Sequence, residues 1–297
     1  MKVLLFGSSY MAEEYLKVLA SLNVQTVVLS RSGDHAKQLA TRYGCKGYGL
    51  EALETTNVEA DDKAIIASAI DSLKDVAVAC SKKGIKHILV EKPGALNLEE
   101  LRQMPQAHIA YNRRFFNSVI KLKELIAEDG GAIGCRFDFT EREKDILQSI
   151  KSQAVIERWG WCNSTHVIDA AFYLIGMPTE ISCERSGSMA RHPAGSVFAG
   201  SGMSSCPFSY IATWTGGGRW GIEVSTSRGR YKLCPLEELS FSPKNQFTWE
   251  QIELDDDQFK PGLLNLTKAF LADDCSQISS NSDQIKLCKV TDKIFGY

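Results

Sequence analysis

The sequence of 297 residues lacks any apolar run that approaches the roughly 20 residues of a membrane-spanning helix. Its first apolar stretch, Lys2–Phe6, is too short for the core of a secretion signal and favours a strand. The chain has no Cys-x-x-Cys pair, and its nine cysteines are scattered and odd in number. Such cysteines are typical of small buried side chains in a reducing compartment. We therefore predict a cytoplasmic protein with no membrane partner.

The sequence also lacks an excess of one charge. Its 34 basic and 36 acidic residues leave a formal net charge of −2. Nothing in this balance calls for a nucleic acid or an anionic membrane surface, so we expect neither as a partner. The hydrophobic fraction of 44% and the charged fraction of 24% are those of an ordinary globular protein, and the length suggests two domains.

Residues 1–110 alternate short apolar runs with helical patterns. The clearest strand candidates are Lys2–Phe6, Gln25–Leu29, Lys63–Ala67 and Ile85–Val90. A helix with the apolar face Leu73, Val76, Ala77 and Cys80 follows the third of them. Near-continuous apolar strands separated by helices predict a parallel sheet covered on both faces, that is, an α/β domain.

Residues 111–297 show a different pattern. Helices are predicted for Phe115–Glu128, Ser164–Ile175, Leu263–Ala272 and Asp283–Ile294, and strands for Ala132–Thr140, Glu180–Ser186, Ser209–Trp214, Trp220–Ser225 and Arg230–Leu233. Turns of sequence GGGR and TSRG separate the last three strands, which predicts an antiparallel meander. The segments Glu141–Arg158 and Arg191–Cys206 are interpreted as loops that shape a substrate pocket.

A glycine turn follows the first strand. Gly7-Ser8-Ser9-Tyr10-Met11-Ala12 matches G-x-G-x-x-G/A at its first and sixth positions, with Ser9 in place of the second glycine. A strand, a tight turn and a helix present backbone N–H groups to a pyrophosphate. We predict cofactor contacts at Gly7, Ser8, Ser9, Tyr10 and Met11. A tight turn without a ligand is the alternative.

The end of the second strand carries a base where a dinucleotide fold often has an acid. An Asp or Glu there binds the ribose hydroxyls of NAD, but this chain has Leu29-Ser30-Arg31-Ser32. Ser30 and Arg31 suit a 2′-phosphate, which favours NADP over NAD. A solvated loop arginine is the alternative.

A lysine follows the strand Ile85–Val90, in the sequence Glu91-Lys92-Pro93. Ligands of open α/β sheets bind at the carboxyl ends of the strands. Lys92 beside a nicotinamide could therefore share a proton with a substrate hydroxyl. A surface lysine in a loop is the alternative.

If the helix predicted near Ser164–Ile175 extends back to Asn163, then Asn163, His166 and Asp169 form a polar row on one face. We expect this row to face away from an apolar face that docks on the core. His166 could act as a general acid or base near neutral pH, or be a hydrogen-bonded structural histidine. Cys162 could pair with His166 at a metal, but no further ligand cluster is evident, and we predict no metal site.

Taken in order, Gly7, Glu91-Lys92-Pro93, Tyr111-Asn112-Arg113-Arg114 and His166-x-x-Asp169 resemble the Gfo/Idh/MocA family, named for glucose–fructose oxidoreductase, inositol dehydrogenase and rhizopine catabolism. The resemblance implies an N-terminal Rossmann domain at 1–110. It implies an α+β domain with a large, mainly antiparallel open sheet at 111–297.

The resemblance also implies site residues. Lys92 and His166 would be catalytic, and Asn112, Asn163 and Asp169 would bind substrate. Ser68 and Glu91 would join the cofactor contacts. Two positions depart from the family pattern: Cys162 replaces an aspartate, and Ser68-Ala69-Ile70 lacks a proline.

The resemblance predicts NAD(P)-dependent oxidation or reduction of a sugar, cyclitol or nucleotide-sugar hydroxyl, at a site in the cleft between the domains. A regulator that binds the cofactor without turnover is the alternative, and a redox-neutral enzyme that uses NAD transiently is a third. We expect a homodimer or homotetramer formed through the sheet around Ser209–Leu233, with Trp214 and Trp220 on its open face. The residues do not name the substrate or the direction of the reaction.

Overall fold

The structure is a computed structural model that describes residues 1–149, 151–190, 192, 195–255 and 258–297. Its strands are β1 (Val3–Phe6), β2 (Thr26–Ser30), β3 (Lys46–Gly49), β4 (Lys63–Ile66), β5 (His87–Glu91), β6 (His108–Ala110), β7 (Gly134–Asp138), β8 (Glu180–Ser186), β9 (Val197–Met203), β10 (Pro207–Thr213), β11 (Gly221–Ser225), β12 (Gly229–Leu233), β13 (Leu239–Pro243), β14 (Glu250–Ile252) and β15 (Ser279–Ser280). Its α-helices are α1 (Tyr10–Ser21), α2 (Gly33–Arg42), α3 (Ala52–Thr55), α4 (Leu73–Lys82), α5 (Leu98–Gln103), α6 (Asn117–Glu128), α7 (Glu143–Leu147), α8 (Gln153–Glu157), α9 (Thr165–Ile175), α10 (Leu263–Leu271) and α11 (Asn281–Phe295).

The first compact unit contains Met1–Asn112 and the described residues 258–285. Its sheet has the order β15-β6-β5-β4-β1-β2-β3. All its neighbouring strands are parallel except β15, which runs antiparallel to β6. Every residue of β1 and β4 is buried, as expected for strands covered on both faces. The predicted parallel α/β domain is confirmed.

Helix α4 shows how the periodicity of the sequence places the core. Its predicted apolar face of Leu73, Val76, Ala77 and Cys80 is buried. The sequence pattern does not predict β3 and β15, which are short, or the single-turn helix α3, which has no periodic pattern to detect.

The second unit contains 113–255 and Lys286–Tyr297 among the described residues. Its eight-stranded sheet has the order β14-β13-β12-β11-β7-β10-β9-β8. The pairings are antiparallel apart from β7 with β10, so the predicted, mainly antiparallel sheet is confirmed.

The predicted meander is wrong at its first turn. Strand β7 lies between β10 and β11 and pairs with both, so the GGGR segment does not join neighbouring strands. The TSRG turn does join a hairpin, since Ser225 lies opposite Arg230 and the amide of Thr226 donates to the carbonyl of Gly229 at 2.8 Å. Local turn signals cannot reveal a strand inserted from about 70 residues earlier.

Two further expectations on this unit are corrected. The segment Arg191–Cys206 is not a continuous loop, because it contains β9; Arg191 itself lies outside the described residues. Within Glu141–Arg158 the chain forms α7 and α8. Trp214 is not on an open face but 1% exposed in an aromatic cluster with His192, Phe198 and Phe295.

The two units do not divide the chain at a single point. The chain leaves the first unit between Asn112 and Arg113, close to the boundary expected near residue 110. Residues 258–285 belong to the first unit again, which the division into 1–110 and 111–297 does not anticipate. Over the described residues, no helix is long and apolar enough to cross a membrane.

Candidate functional site

The carboxyl ends of three parallel strands place the predicted cofactor residues along one edge of the first sheet. Phe6, Ile66 and Val90 occupy one register across β1, β4 and β5. The residues that follow them therefore emerge at the same edge, namely Gly7, Ser68 and the pair Glu91-Lys92. This is the edge at which open α/β sheets bind ligands.

The turn after β1 requires glycine. Gly7 has φ +124°, and a Cβ atom there would lie 2.4 Å from the carbonyl oxygen of Ala67. Its amide donates to the carbonyl of Leu29 at 2.8 Å, which ties the turn to β2. Helix α1 begins three residues later, so its first amides lie beside the turn. A cradle that a side chain would fill and a helix N-terminus together fit a dinucleotide pyrophosphate.

A cavity of about 530 Å³ opens at this turn. Six of the predicted cofactor residues line it: Gly7, Ser8, Ser9, Ser30, Arg31 and Ser68. The other four, which are Tyr10, Met11, Glu91 and Lys92, do not. The lining residues that sequence reasoning missed are Ser32, His35, Leu50, Leu53, Ala69, Ser72, Asp75, Val76 and Ala79, with Phe6 and Leu29 at the strand ends.

Two serines fix the conformation of the segment after β2, which forms one wall of the cavity. The hydroxyl of Ser30 donates to the carbonyl of Ser32 at 2.7 Å, and Ser32 caps α2. Arg31 lies between them and is exposed. In the part of the chain that the structure describes, Arg31 forms no ion pair, so its guanidinium is available to an anion in the cavity.

The lysine turn after β5 is held on both sides. Tyr15, which is fully buried, donates its hydroxyl to Glu91 Oε1 at 2.8 Å. Burial and, secondarily, the charge of Glu91 raise the pKa of Tyr15 well above its usual value, so it stays a donor. Gln284 donates to the carbonyl of Pro93 at 3.0 Å, and the Lys92–Pro93 peptide bond is cis. Lys92 is half-buried at this fixed turn.

Helix α9 carries the predicted acid–base histidine but is not amphipathic. Every residue of α9 is buried except the half-buried Tyr173. His166 and Asp169, two of the three residues of the predicted polar row, are therefore both buried. His166 is 8% exposed, and its ring centroid lies 6.0 Å from that of Trp220. The polar residues of this helix need internal partners because burial alone would cost free energy.

Asp169 has such a partner in Arg114. The guanidinium donates from Nε at 2.8 Å and from Nη2 at 2.5 Å, and the carboxylate is 2% exposed. Asn112, 6% exposed, donates its amide to the carbonyl of Pro261 at 3.0 Å within the first unit. Asn112 and Asp169, both predicted to bind substrate, therefore each form hydrogen bonds inside their own unit.

A π-helical turn, Gly160–Ser164, precedes α9 and carries Asn163. Glu141, 7% exposed, accepts hydrogen bonds from Asn163 Nδ2 at 2.9 Å and Ser164 Oγ at 2.8 Å. Cys162 is buried on the same turn. Glu141, three residues beyond β7, therefore supplies a carboxylate to this turn, a contact that no local sequence signal indicates.

The C-terminal residues secure the start of this turn. The Tyr297 hydroxyl accepts the amide of Gly160 at 3.0 Å, and Trp161 Nε1 donates to Asp292 at 2.8 Å. A Cβ atom on Gly160 would lie 2.4 Å from the ring of Phe295. Burial raises the pKa of Asp292 although the hydrogen bond from Trp161 opposes the shift. The turn that precedes His166 in the chain is therefore held by hydrogen bonds and by close packing.

Comparison with known proteins finds a family that resembles the N-terminal part of the chain. Residues 1–118 match the Gfo/Idh/MocA family, described as an oxidoreductase family with an NAD-binding Rossmann fold. The resemblance read from the motifs is confirmed. No curated protein matches the chain.

Solved structures share the fold over nearly the whole chain. A putative NADPH-dependent oxidoreductase from Desulfitobacterium hafniense superposes with a TM-score of 0.79 at 16% identity, covering 100% of this chain and 95% of that one. Levoglucosan dehydrogenase in complex with NADH gives 0.79 at 18% identity, covering 99% and 95%. UDP-N-acetylglucosamine 3-dehydrogenase from Acidithiobacillus ferrooxidans gives 0.74 at 13%, covering 100% and 97%.

Proposed function

We propose that this protein is an NAD(P)-dependent oxidoreductase that acts on a hydroxyl or ketone of a sugar, cyclitol or nucleotide sugar. The observation that carries the proposal is the cavity at the Gly7 turn, in a domain of the NAD-binding Gfo/Idh/MocA family. The substrate class is favoured by dehydrogenases of levoglucosan and of UDP-N-acetylglucosamine among the proteins that share the fold.

The chain's own residues would bind the cofactor and move one proton. The nicotinamide, when bound, supplies the hydride acceptor or donor. The backbone around Gly7 and Ser9 binds the pyrophosphate, and Lys92 exchanges the proton of the substrate oxygen. In the oxidative direction, Lys92 would accept the hydroxyl proton of a substrate whose C–H hydride a bound nicotinamide would take. In reduction both transfers reverse.

We assign His166 as a second acid or base of the reaction, as the family resemblance implies. Its 8% exposure and its place at the start of α9 give it a fixed ring position. Asn163 is the better substrate contact of the predicted set because it is half-buried and donates only its amide to Glu141. Asn112 and Asp169 support the site through Pro261 and Arg114.

The cofactor we favour is NADP. Arg31 is exposed at the cavity wall, and the residues directly after β2 that line the cavity include no acid to bind a ribose diol. A charge-assisted bond to the 2′-phosphate contributes about 1.5–3 kcal/mol, roughly a 10- to 150-fold preference. Calorimetric titration of the wild type with NADPH and NADH tests this, and Arg31→Ala should remove the preference. Tighter binding of NADH, or an unchanged ratio in the variant, would contradict it.

We further propose that the protein is a cytoplasmic homodimer or homotetramer. The cysteine pattern of the sequence supports the location. The open face of the second sheet supports the assembly, because alternating residues there remain exposed, including Met203 (42%) and Ile211 (49%). Light scattering at micromolar concentration should give a mass at least twice 32.9 kDa. A mass of one chain would contradict the assembly.

A cofactor-binding regulator without turnover is the second candidate. It is favoured by Asp169 and Asn163, whose side chains engage Arg114 and Glu141, and by the buried Cys162 in place of an aspartate. The regulator should bind the dinucleotide but turn over none of the sugars, cyclitols or nucleotide sugars.

A further inference from the structure

The first turn of α2 carries a histidine on the wall of the cofactor cavity. His35 lines the cavity together with Arg31 and Ser32. It is exposed, and among the described residues its ring makes no hydrogen bond, ion pair or ring contact. The imidazole is therefore available to a ligand that occupies the cavity.

The backbone holds His35 in place without using its side chain. Ser32 Oγ accepts the amide of His35 at 3.3 Å, and the carbonyl of Ser32 accepts the amide of Ala36 at 3.0 Å. Helix α2 is thus capped immediately after Arg31, and His35 falls in its first turn. Replacing the His35 side chain leaves this cap intact because only the backbone of His35 takes part in it.

The charge of Arg31 and the N–H donors on this wall favour an anion. Arg31 and His35 both line the cavity, next to the N-terminus of a ten-residue helix, where the helix dipole is positive. The acid of the same helix turn, Asp34, is exposed and does not line the cavity. Asp75 reaches the cavity from α4, but it is paired with Lys74 at 2.9 Å.

We propose that His35 is a second ligand, with Arg31, for the 2′-phosphate of NADP, and that it sets the cofactor preference. The inference rests on the proposed function. A phosphate presents three strong acceptor oxygens, which one guanidinium does not saturate. The imidazole donates an N–H to an oxygen that Arg31 leaves unbound, and the Ser32 hydroxyl can donate to the same group. The ribose diol of NAD offers no anion to these donors.

The test separates the 2′-phosphate from the rest of the nucleotide. Wild type, His35→Ala, Arg31→Ala and the double variant are titrated with NADPH, NADH, 2′,5′-ADP and AMP. We expect His35→Ala to lower the NADPH-to-NADH affinity ratio and the 2′,5′-ADP-to-AMP ratio by about tenfold. AMP affinity should stay unchanged. The two single changes should be non-additive because both ligands share one phosphate.

Lys37→Ala is the matched control. Lys37 is exposed on the same helix but does not line the cavity, so its loss removes a charge without removing a ligand. It should leave both ratios within about twofold of the wild type because exposed charges are screened by salt. An equal fall in Lys37→Ala would show that only the general charge of α2 matters and would overturn the inference.

Other outcomes distinguish the role of His35 from the proposed function. NADPH binding with unchanged ratios in His35→Ala overturns the role of His35 and leaves the proposed function standing. A wild type that prefers NADH and AMP overturns the 2′-phosphate site. Failure of all four nucleotides to bind overturns the proposed function itself.

Discussion

The cavity wall after β2 and the buried helix α9 differ in whether their polar side chains have partners within the protein. Arg31 and His35 line the cavity, are exposed and have side chains without partners among the described residues. On α9 and the turn before it, Asp169 is bonded to Arg114, and Asn163 to Glu141. In the first region these side chains remain available to a ligand. In the second, the bonds of Asp169 and Asn163 stabilise the fold that carries His166.

The largest expected effect concerns Lys92, which lies outside this cavity but at the same sheet edge. Lys92→Met keeps the length of the side chain and removes its charge and donors. We expect turnover to fall by about 10²–10⁴, the usual contribution of general acid–base catalysis. Cofactor affinity and thermal stability should change little, because Tyr15 and Gln284 hold the turn through Glu91 and Pro93. Steady-state kinetics with parallel calorimetry measures both, and full activity in the variant would refute the assignment.

If the two regions differ in this way, replacement by alanine should change the free energy of unfolding more at Arg114 than at Arg31. Arg114→Ala leaves the carboxylate of Asp169 buried without its guanidinium, and we expect a loss of about 3–5 kcal/mol in the free energy of unfolding. Arg31→Ala removes an exposed arginine and should change the free energy of unfolding by no more than about 0.5 kcal/mol. Chemical denaturation measures both values. Equal losses would show that the two regions do not differ as described.

Alanine substitutions at Gly7 and Gly84 test whether the close contact between Gly7 and the Ala67 backbone requires glycine. Gly7 and Gly84 both have positive φ, but a Cβ atom on Gly84 would meet nothing within 4 Å, whereas one on Gly7 would strike the Ala67 backbone. Gly7→Ala should therefore destabilise the protein by about 1–3 kcal/mol more than Gly84→Ala and weaken cofactor binding. If both variants lose the same stability, the conformational strain common to the two sites explains the requirement for glycine at Gly7, and its close packing does not.

The two regions also differ in how far the sequence reveals them. The Gly7 turn and Arg31 were predictable because a strand, a turn and a helix lie within a few residues and constrain one another. Arg114, Glu141 and Tyr297 were not, because they reach α9 or the turn before it from 22 to 137 residues away. The insertion of β7 between β10 and β11 could not be predicted either, because β7 and β10 are far apart in the sequence. Periodicity placed the elements, but the partners of buried polar groups depend on tertiary packing.

The most direct test of the account is turnover by the wild-type protein. Sugars, cyclitols and nucleotide sugars, with their keto forms, are offered with NADP(H) and NAD(H) in both directions, and the absorbance of the reduced nicotinamide is followed. We expect at least one compound to give sustained turnover with NADP(H) in the wild type, and we expect Lys92→Met to lose this turnover. Tight cofactor binding with no turnover of any compound would contradict it and favour the regulator.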